Sequence, residues 1–361
     1  MKNTKRLITV VLAMMIIFTM SACAGEPGKT EPTERTFVDA AGREVTIKQP
    51  IETFVINNYD LGESLAMVLG DEYADMVTGT GIPNYEINKE VYEKHFPQLK
   101  NIKSLAGGRG PYDLEALFKL EPDVFFMNSS EHFRQSRGEE MDKVEQAGIP
   151  VYLFFMYQDA IQSPRDTIRL VGEVFGREER AKEVTDFIDA QFNLVEERLA
   201  NIDEPVTFYY ERDNGMTSAK GGWTQILNQA GGQWIAEDIM IENSGKLDPE
   251  TVLVSNPDFI VLSGGLGYKS SGNPHTVQDH VDKVISRPGW KDLDAIKNKR
   301  LFVFAHDFSR SPLSFYPVLY MAKEFYPERM ADVDPDAIMK EFYDKFMIVD
   351  YEDGTWSYRL E

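Results

Sequence analysis

One stretch of the chain occurs twice, and this internal repeat limits the folds that the chain can adopt. The first copy, residues 114–126, reads LEALFKLEPDVFF, and the second, residues 249–261, reads PETVLVSNPDFIV. In each copy a glutamate opens a short helical pattern, a Pro-Asp pair stops it, and a buried strand follows. The repeat therefore predicts two related lobes within one chain.

Strands alternate with helices on both sides of the repeat. Short apolar runs bounded by turn residues predict strands, and apolar residues three and four positions apart predict helices. This alternation indicates a parallel α/β sheet in each half. The predicted strands are 36–39, 44–47, 53–57, 74–80, 124–127, 151–155, 206–210, 259–262 and 301–305. The predicted helices are 61–69, 114–120, 141–147, 163–175, 224–230, 249–254, 317–325 and 336–346.

An amphipathic stretch separates the two halves. From Glu178 to Ala200 apolar residues recur in steps of three and four, which places one apolar stripe on a helix. Gly176 ends the preceding helical pattern, and Asn201 follows the long one. At 1.5 Å per residue such a helix is roughly 34 Å long, the width of a small domain. We therefore predict an α/β fold of two Rossmann-like lobes with parallel-type sheets, joined by one long rigid helix.

Length and charge agree with a two-domain protein that does not bind nucleic acid. The chain has 361 residues, of which 42% are hydrophobic, and its formal net charge is -21 at pH 7. Nucleic acids attract basic surfaces, so this acidic balance argues against such a partner. The predicted organisation is a signal peptide (1–22), a flexible linker (23–35), an N-terminal lobe (36–176), an interlobe helix (177–201) and a C-terminal lobe (202–361).

The N-terminus predicts export. Basic residues at 2, 5 and 6 precede an apolar run at 7–20, about 14 residues, which is short for a membrane-spanning helix. The following M-S-A-C at 20–23 resembles the bacterial lipobox, in which the cysteine is lipidated and becomes the mature N-terminus. Cys23 is the only cysteine, so we predict a lipid-anchored, extracytoplasmic protein of the cell envelope without an internal disulfide. An ordinary signal peptide with an incidental cysteine is the alternative.

Taken together and in their order along the chain, the motifs resemble those of one class of substrate-binding lipoproteins. These lipoproteins serve ABC importers for ferric siderophores, haem and cobalamin, and they have a single helix between their lobes. The resemblance rests on the lipobox, DAAGREVTI at 39–47, both copies of the repeat, and RPGWKDLDAIKN at 287–298. It implies a monomer that presents its ligand to an ABC permease and does no chemistry on it. It also implies that Glu115 and Glu250 dock into arginine pockets of that permease; the alternative is that each only complements its own helix dipole.

The predicted ligand site lies beyond the carboxyl ends of the strands, where parallel sheets bind ligands. Loops at these ends carry aromatic and arginine side chains, which suit a bulky, anionic, partly aromatic ligand. A ferric siderophore fits this description, and its chelating groups already satisfy the iron, so we predict neither a protein ligand to a metal nor a cofactor. The predicted ligand-binding residues are Tyr59, Arg109, His132, Tyr157, Arg212, Trp223, Tyr268, His306 and Arg310.

Other ligands and another class remain open. His132 and His306, on opposite lobes, could ligate haem iron, cobalamin is a further candidate, and backbone N–H groups of glycine-rich loops could bind molybdate or another oxyanion. A bare metal site is disfavoured, since only five histidines exist and His275 and His280 fall in a polar loop. A ligand-sensing lipoprotein that feeds a membrane receptor is the alternative class. We predict no enzyme, because the chain lacks G-x-S-x-G, H-E-x-x-H and G-x-x-x-x-G-K motifs.

Overall fold

A computed structural model describes residues 33–57, 59–81, 85–105, 111–128, 131–155, 159–212, 215–218, 221–240, 244–268 and 277–361. Within these ranges, the side chains of 59–60, 85–89, 131–134 and 136 are left undescribed. No helix in the described ranges combines the length and the apolar character needed to cross a membrane.

The first lobe is built on a parallel sheet. The strands are β1 (Thr33–Val38), β2 (Glu44–Gln49), β3 (Phe54–Ile56), β4 (Val77–Thr80), β5 (Lys103–Ser104), β6 (Val124–Asn128) and β7 (Val151–Phe154). The sheet has the order β5-β4-β3-β6-β7, while β1 and β2 pair as an antiparallel hairpin. The helices are α1 (Tyr59–Leu69), α2 (Glu72–Met76), α3 (Tyr85–His95), α4 (Leu114–Leu120), α5 (Glu131–Gln146) and α6 (Gln162–Phe175).

The second lobe repeats this plan with one antiparallel edge. After α7 (Glu178–Arg198), its strands are β8 (Thr207–Arg212), β9 (Thr217–Ser218), β10 (Gln233–Trp234), β11 (Ser244–Gly245), β12 (Phe259–Ser263), β13 (Gly267–Tyr268), β14 (Leu301–Phe304), β15 (Gly354–Thr355) and β16 (Ser357–Arg359). Its helices are α8 (Trp223–Gln229), α9 (Pro249–Ser255), α10 (Val277–Ile285), α11 (Asp294–Lys297), α12 (Phe315–Phe325) and α13 (Pro335–Phe346). The main sheet has the order β10-β8-β12-β14-β16, and only the β14–β16 pair is antiparallel. These two sheets confirm the predicted fold class.

Most of the predicted elements are present, but helices such as α3 and α10 were not predicted, and one predicted strand is partly helical. Residues 74–80 were predicted as a strand, but residues 72–76 form α2 and the strand begins only at Val77. Glu72 and Asp75 lie in the first turn of α2, where negative charge favours a helix, and this outweighs the short apolar run.

Each sheet divides its side chains between two cores. In β6, Val124 and Phe126 join a core that continues through both lobes, while Phe125 and Met127 join a separate core of the first lobe. The strands β12 and β14 alternate in the same way between the shared core and a separate core of the second lobe. This two-residue period is expected of strands covered on both faces.

Helix α7 contributes its apolar stripe to the shared core. Ala181, Val184, Ile188, Phe192 and Val195 are buried along it, in the predicted steps of three and four. The helix packs against α1 and α6 of the first lobe and against α12 of the second lobe. A single helix thus contacts both lobes.

The two copies of the repeat have the same local structure. The side chain of Asp113 caps α4 by accepting from the N–H of Ala116, and Asp248 caps α9 by accepting from the N–H of Glu250. Both helices end in a residue with left-handed backbone, Glu121 and Asn256.

The aspartate of each Pro-Asp pair then holds the start of the neighbouring central strand. Oδ2 of Asp123 accepts from the N–H groups of Glu52 and Thr53, just before β3, at 2.8 and 3.0 Å. Oδ2 of Asp258 accepts from the N–H and the hydroxyl of Thr207, at the start of β8, at 2.8 Å each. The repeat is therefore a structural repeat, anchored by equivalent hydrogen bonds.

Candidate functional site

Three neighbouring strands of the second sheet end side by side. The register places Arg212, the last residue of β8, next to Ser263, the last residue of β12. It places Ser263 in turn next to Phe304, the last residue of β14. His306 follows β14 by two residues, so residues far apart in sequence meet at this edge.

His306 is held at this edge as a neutral imidazole. Its Nδ1 lies 2.9 Å from Oγ of Ser263, which lies 2.8 Å from the hydroxyl of Tyr210. Burial lowers the pKa of His306 well below its ordinary value, and the nearby cations Arg310 and Arg212 lower that pKa further. The ring nitrogen that remains for a ligand is Nε2.

Two arginines lie at this edge, and one of them is ion-paired with an aspartate. Arg212 is exposed, and Arg310 is partly buried, with one guanidinium N–H donating to Oδ1 of Asp307 at 2.8 Å. Both guanidinium groups are close enough to His306 to oppose its protonation. Guanidinium groups bind carboxylate, phosphate and similar oxyanions through paired donors, so the edge is suited to an anionic ligand.

Trp223 supports His306 from behind. It is only 1% exposed, its Nε1–H donates to the carbonyl oxygen of His306 at 3.1 Å, and its ring stacks on Tyr210. The structure thus places Trp223 beneath the predicted site, and any contact with a ligand would be transmitted through His306.

Tyr268 lies in an aromatic contact between the lobes. Its buried ring packs edge-on against Tyr92 of α3 and Trp356, with ring centroids 6.0 and 5.0 Å away. Its hydroxyl is 3.0 Å from that of Tyr343, and burial raises its pKa. In this structure Tyr268 joins the first lobe to the second, and no described hydrogen bond links it to His306.

The described strand ends of the first sheet are neutral. Asn57, Thr80 and Asn128 are buried there, and Oδ1 of Asn57 accepts from the N–H of Asn128 at 3.0 Å. The structure does not describe the side chains of four predicted ligand residues of this lobe. Arg109 and Tyr157 lie outside the described residues, as do the side chains of Tyr59 and His132, which lie in the first turns of α1 and α5.

Two further polar contacts join the lobes, and the sequence analysis missed them. Ser311 donates through its hydroxyl to the buried carboxylate of Glu63 in α1, at 2.9 Å. At the C-terminal end of α3, Lys94 and His95 both contact the carboxylate of Asp353, at 2.8 and 2.7 Å. The sequence signal for Glu63 is a lone carboxylate within the apolar run 61–69.

A possible metal cluster occurs at the α3 contact. Among the described residues, one group of histidine, cysteine or carboxylate side chains has ligand atoms that all lie within 4.8 Å of one another. This group consists of His95, Asp350 and Asp353. The ammonium of Lys94 lies 2.8 Å from Asp353 and 3.8 Å from Asp350, so both carboxylates already have a cationic partner. The arrangement is therefore that of an interlobe ion pair.

A buried ion pair lies directly beneath the strand ends of the second lobe. Glu211 is 1% exposed and accepts two hydrogen bonds from Arg287 at 2.7 Å and one from the hydroxyl of Tyr209 at 2.6 Å. Burial alone would raise the pKa of Glu211, but its interactions with His280, Arg287 and Tyr209 outweigh burial and lower that pKa to about 2. His280 lies on α10, not in the polar loop that was predicted, and its Nε2 is 3.7 Å from Oε1 of Glu211, longer than a hydrogen bond.

Comparison with known proteins decides the family. A family model described as periplasmic binding protein matches residues 70–307. The chain belongs to this family. It is 22% identical to the molybdate-binding protein MolA of Haemophilus influenzae, over 88% of this chain and 92% of MolA. It is 23% identical to the iron(3+)-hydroxamate-binding protein YxeB of Bacillus subtilis, over 87% of this chain and 91% of YxeB.

A solved structure supports the same conclusion. The crystal structure of the TroA-like periplasmic binding protein FepB from Veillonella parvula matches with a TM-score of 0.79 and 27% identity, over 90% of this chain and 99% of that one. The chain is therefore an extracytoplasmic solute-binding protein of the ABC-importer type, which confirms the resemblance drawn from its motifs.

Proposed function

We propose that the protein captures an anionic metal complex, with a ferric siderophore as the first candidate, in the cleft between its lobes. The observation that supports this most directly is the cluster of Arg212, Arg310 and neutral His306 at one edge of the second sheet. Such a local group of arginines can bind an anion although the chain as a whole carries a net charge of -21.

Each group in the cluster has a defined part in this binding. Arg212 and Arg310 bind the negatively charged oxygens of the chelate, and His306 offers its Nε2 as a neutral donor or acceptor. Ser263 holds the imidazole in place, and the hydrogen bond from Trp223 holds the backbone carbonyl of His306. Tyr59, Arg109, His132, Tyr157 and Tyr268 stay predictions for the rest of the site. The ligand leaves unchanged, because the protein binds it and presents it.

Molybdate is the second candidate, because the relative MolA is a molybdate-binding protein and the same donors suit a small oxyanion. The hydroxamate-binding relative YxeB favours the siderophore instead. Haem and cobalamin remain alternatives, and a sensing role toward a membrane receptor is the alternative class.

Delivery to the permease completes the proposal. Glu115 and Glu250 are exposed, each in the first turn of its repeat helix, and would bind arginines of the permease as charge-assisted pairs. We further propose lipidation of Cys23, a monomeric state, and lobe boundaries at 36–176 and 202–361 with a connecting segment at 177–201. Uptake at the wild-type rate by Glu115→Ala and Glu250→Ala variants with normal ligand affinity would contradict the docking role.

The ligand assignment is tested by titrating the purified mature protein while following tryptophan fluorescence. The probes are ferric enterobactin, ferrioxamine B, haemin, cobalamin and sodium molybdate. The double variant Arg212→Met/Arg310→Met should weaken binding of the anionic probe about 100-fold, since each charged hydrogen bond contributes about 1.5–3 kcal/mol. Arg359→Met, at an exposed arginine of β16, is the matched control. An unchanged affinity in the double variant, or no binding of any probe, would overturn the assignment.

A further inference from the structure

The two repeat helices differ at one exposed position. Their caps, their left-handed ends and their aspartate anchors are equivalent, so Glu115 of α4 corresponds to Glu250 of α9. One helical turn further on, Lys119 of α4 corresponds to Val254 of α9. Residues four apart lie on the same face of a helix, so these residues are the immediate surroundings of each glutamate.

On α4 the glutamate is already paired. The ammonium of Lys119 lies 2.7 Å from Oε1 of Glu115, and the two side chains are 73% and 82% exposed. This order, with the glutamate four residues before the lysine, is the favourable one on a helix. The outer face of α4 therefore presents an ion pair whose net charge is close to zero.

On α9 the glutamate stands beside an apolar side chain. Val254 is 87% exposed, against 58% for Ile239 and 55% for Val38, the other large hydrophobic residues exposed in the described ranges. Among the residues that the structure describes, Glu250 has no salt-bridge partner. A single exposed valine is common, but this one lies one turn from an unpaired carboxylate in the repeat. The outer face of α9 thus presents a full negative charge and an apolar contact together.

We propose that α4 and α9 dock unequally on the permease, with Glu250 and Val254 of α9 forming the dominant contact. This inference rests on the proposed docking role of Glu115 and Glu250. The partner surface for α9 carries a cationic side chain for Glu250 and, about one helical turn away, an apolar side chain that buries Val254. At α4, Lys119 competes with the permease for Glu115 and adds a like charge near the permease cation.

This difference makes the two contacts with the permease unequal. On a permease of two identical subunits both orientations of the docked protein are equivalent, so one subunit always meets α9 and the other meets α4. The α9 face is anionic and apolar, whereas the α4 face is nearly neutral and wholly polar. Charge complementarity at α9 and like-charge repulsion at α4 therefore make α9 the stronger of the two contacts.

The partner is identified by photocrosslinking in cells that express the full-length chain. Benzoylphenylalanine replaces Val254, Lys119, or the control residues Ile239 and Val38. Adducts are analysed by mass spectrometry. We expect an adduct between position 254 and an integral-membrane permease subunit, a weaker one at position 119, and none at the controls. Adducts of equal yield at 254 and 119 would overturn the inequality.

Reciprocal variants then measure the difference on the permease recovered in this way, reconstituted in lipid nanodiscs. Val254→Lys gives α9 the ion pair of α4, and should weaken docking about tenfold. Lys119→Val gives α4 the surroundings of α9, and should tighten docking several-fold, more at low salt. Both positions are exposed, so thermal melts should match those of the wild type.

The outcomes separate this inference from the docking role itself. If Glu115→Ala and Glu250→Ala weaken docking equally while Val254→Lys has no effect, docking by the glutamates stands and the inequality is wrong. If neither glutamate variant affects docking and no adduct forms at 254 or 119, the docking role itself is wrong, and the inequality with it.

Discussion

Asn57 and Glu211 occupy equivalent positions in the two lobes, yet they have different chemistry. Ile56 pairs with Phe126 in the first sheet, and Tyr210 pairs with Val261 in the second, where Phe126 and Val261 are the last residues of the two repeats. The next residue along the chain is Asn57 in one lobe and Glu211 in the other. The first is a buried neutral amide, and the second is a buried carboxylate paired with Arg287.

The comparison shows that the repeat conserves a scaffold and not a binding surface. The helix caps and the aspartates that anchor the strands are shared. The described strand ends are neutral in the first lobe, whereas the second lobe brings two arginines and a histidine to the same place. The predictions below test this division between shared scaffold and divergent edge.

The largest effect is expected where the lobes differ most. Glu211→Gln gives the second lobe an amide, as in the first lobe, but leaves the guanidinium of Arg287 without its carboxylate. Breaking a buried ion pair in this way should lower the free energy of unfolding by about 3–5 kcal/mol. Asn57→Ala removes a neutral hydrogen bond and should cost about 1–2 kcal/mol. Urea denaturation measures both; equal losses would contradict the comparison.

The same ion pair predicts a pH dependence. Glu211 has its pKa lowered from 4.5 to about 2 in the folded protein. Its stabilising contribution is therefore complete above the unfolded value of 4.5 and is lost as the pH falls from there toward 2. Urea midpoints measured across this range should fall less steeply for Glu211→Gln than for the wild type. Parallel curves for the two proteins would disprove this assignment.

A smaller effect, equal in both lobes, is expected at the strand anchors. Asp123→Ala and Asp258→Ala each remove two hydrogen bonds to a charged acceptor at the start of a central strand. Each variant should lose about 2 kcal/mol of unfolding free energy. A difference between them larger than about 1 kcal/mol would show that the anchors are not equivalent.

The helix caps should show a smaller and again matched loss. Asp113→Ala and Asp248→Ala each remove one side-chain cap, at 3.0 and 2.9 Å from the N–H that it accepts. The expected cost is about 1 kcal/mol for each. Asp113→Asn and Asp248→Asn should retain most of the stability, because asparagine also caps helices; a full loss in these controls would assign the effect to charge instead.

The smallest change in stability is expected at the divergent edge itself. Arg310→Met removes a partly exposed cation and should change the unfolding free energy by at most about 0.5 kcal/mol. It also removes a charge that opposes protonation, so the pKa of His306 should rise, although burial still holds it below its ordinary value. Titration of His306 by NMR measures this, with Arg359→Met as the control. An unchanged pKa would show that Arg310 does not face the imidazole.

The sequence alone determined the architecture, because the features that specify it are local. A two-residue period, a three-to-four-residue period and paired Pro-Asp stops can each be read within a short window, and they predicted the repeat, most strands and α7. The failures are also local in origin. Helix α3 is polar enough to lack a clear apolar stripe, and the last residues of α2, Ala74 to Met76, run directly into the strand β4 and were predicted as part of it.

Only the tertiary structure decided which residues meet. The strand order β8-β12-β14 places Arg212, Ser263 and His306 together although long segments of chain separate them, and no periodicity encodes that order. The tertiary structure also decided the surroundings of Trp223, which was predicted as a ligand residue and is buried beneath His306. Hydrogen bonds and burial across elements act at a distance in sequence, so a pattern can indicate a residue of interest but not its neighbours.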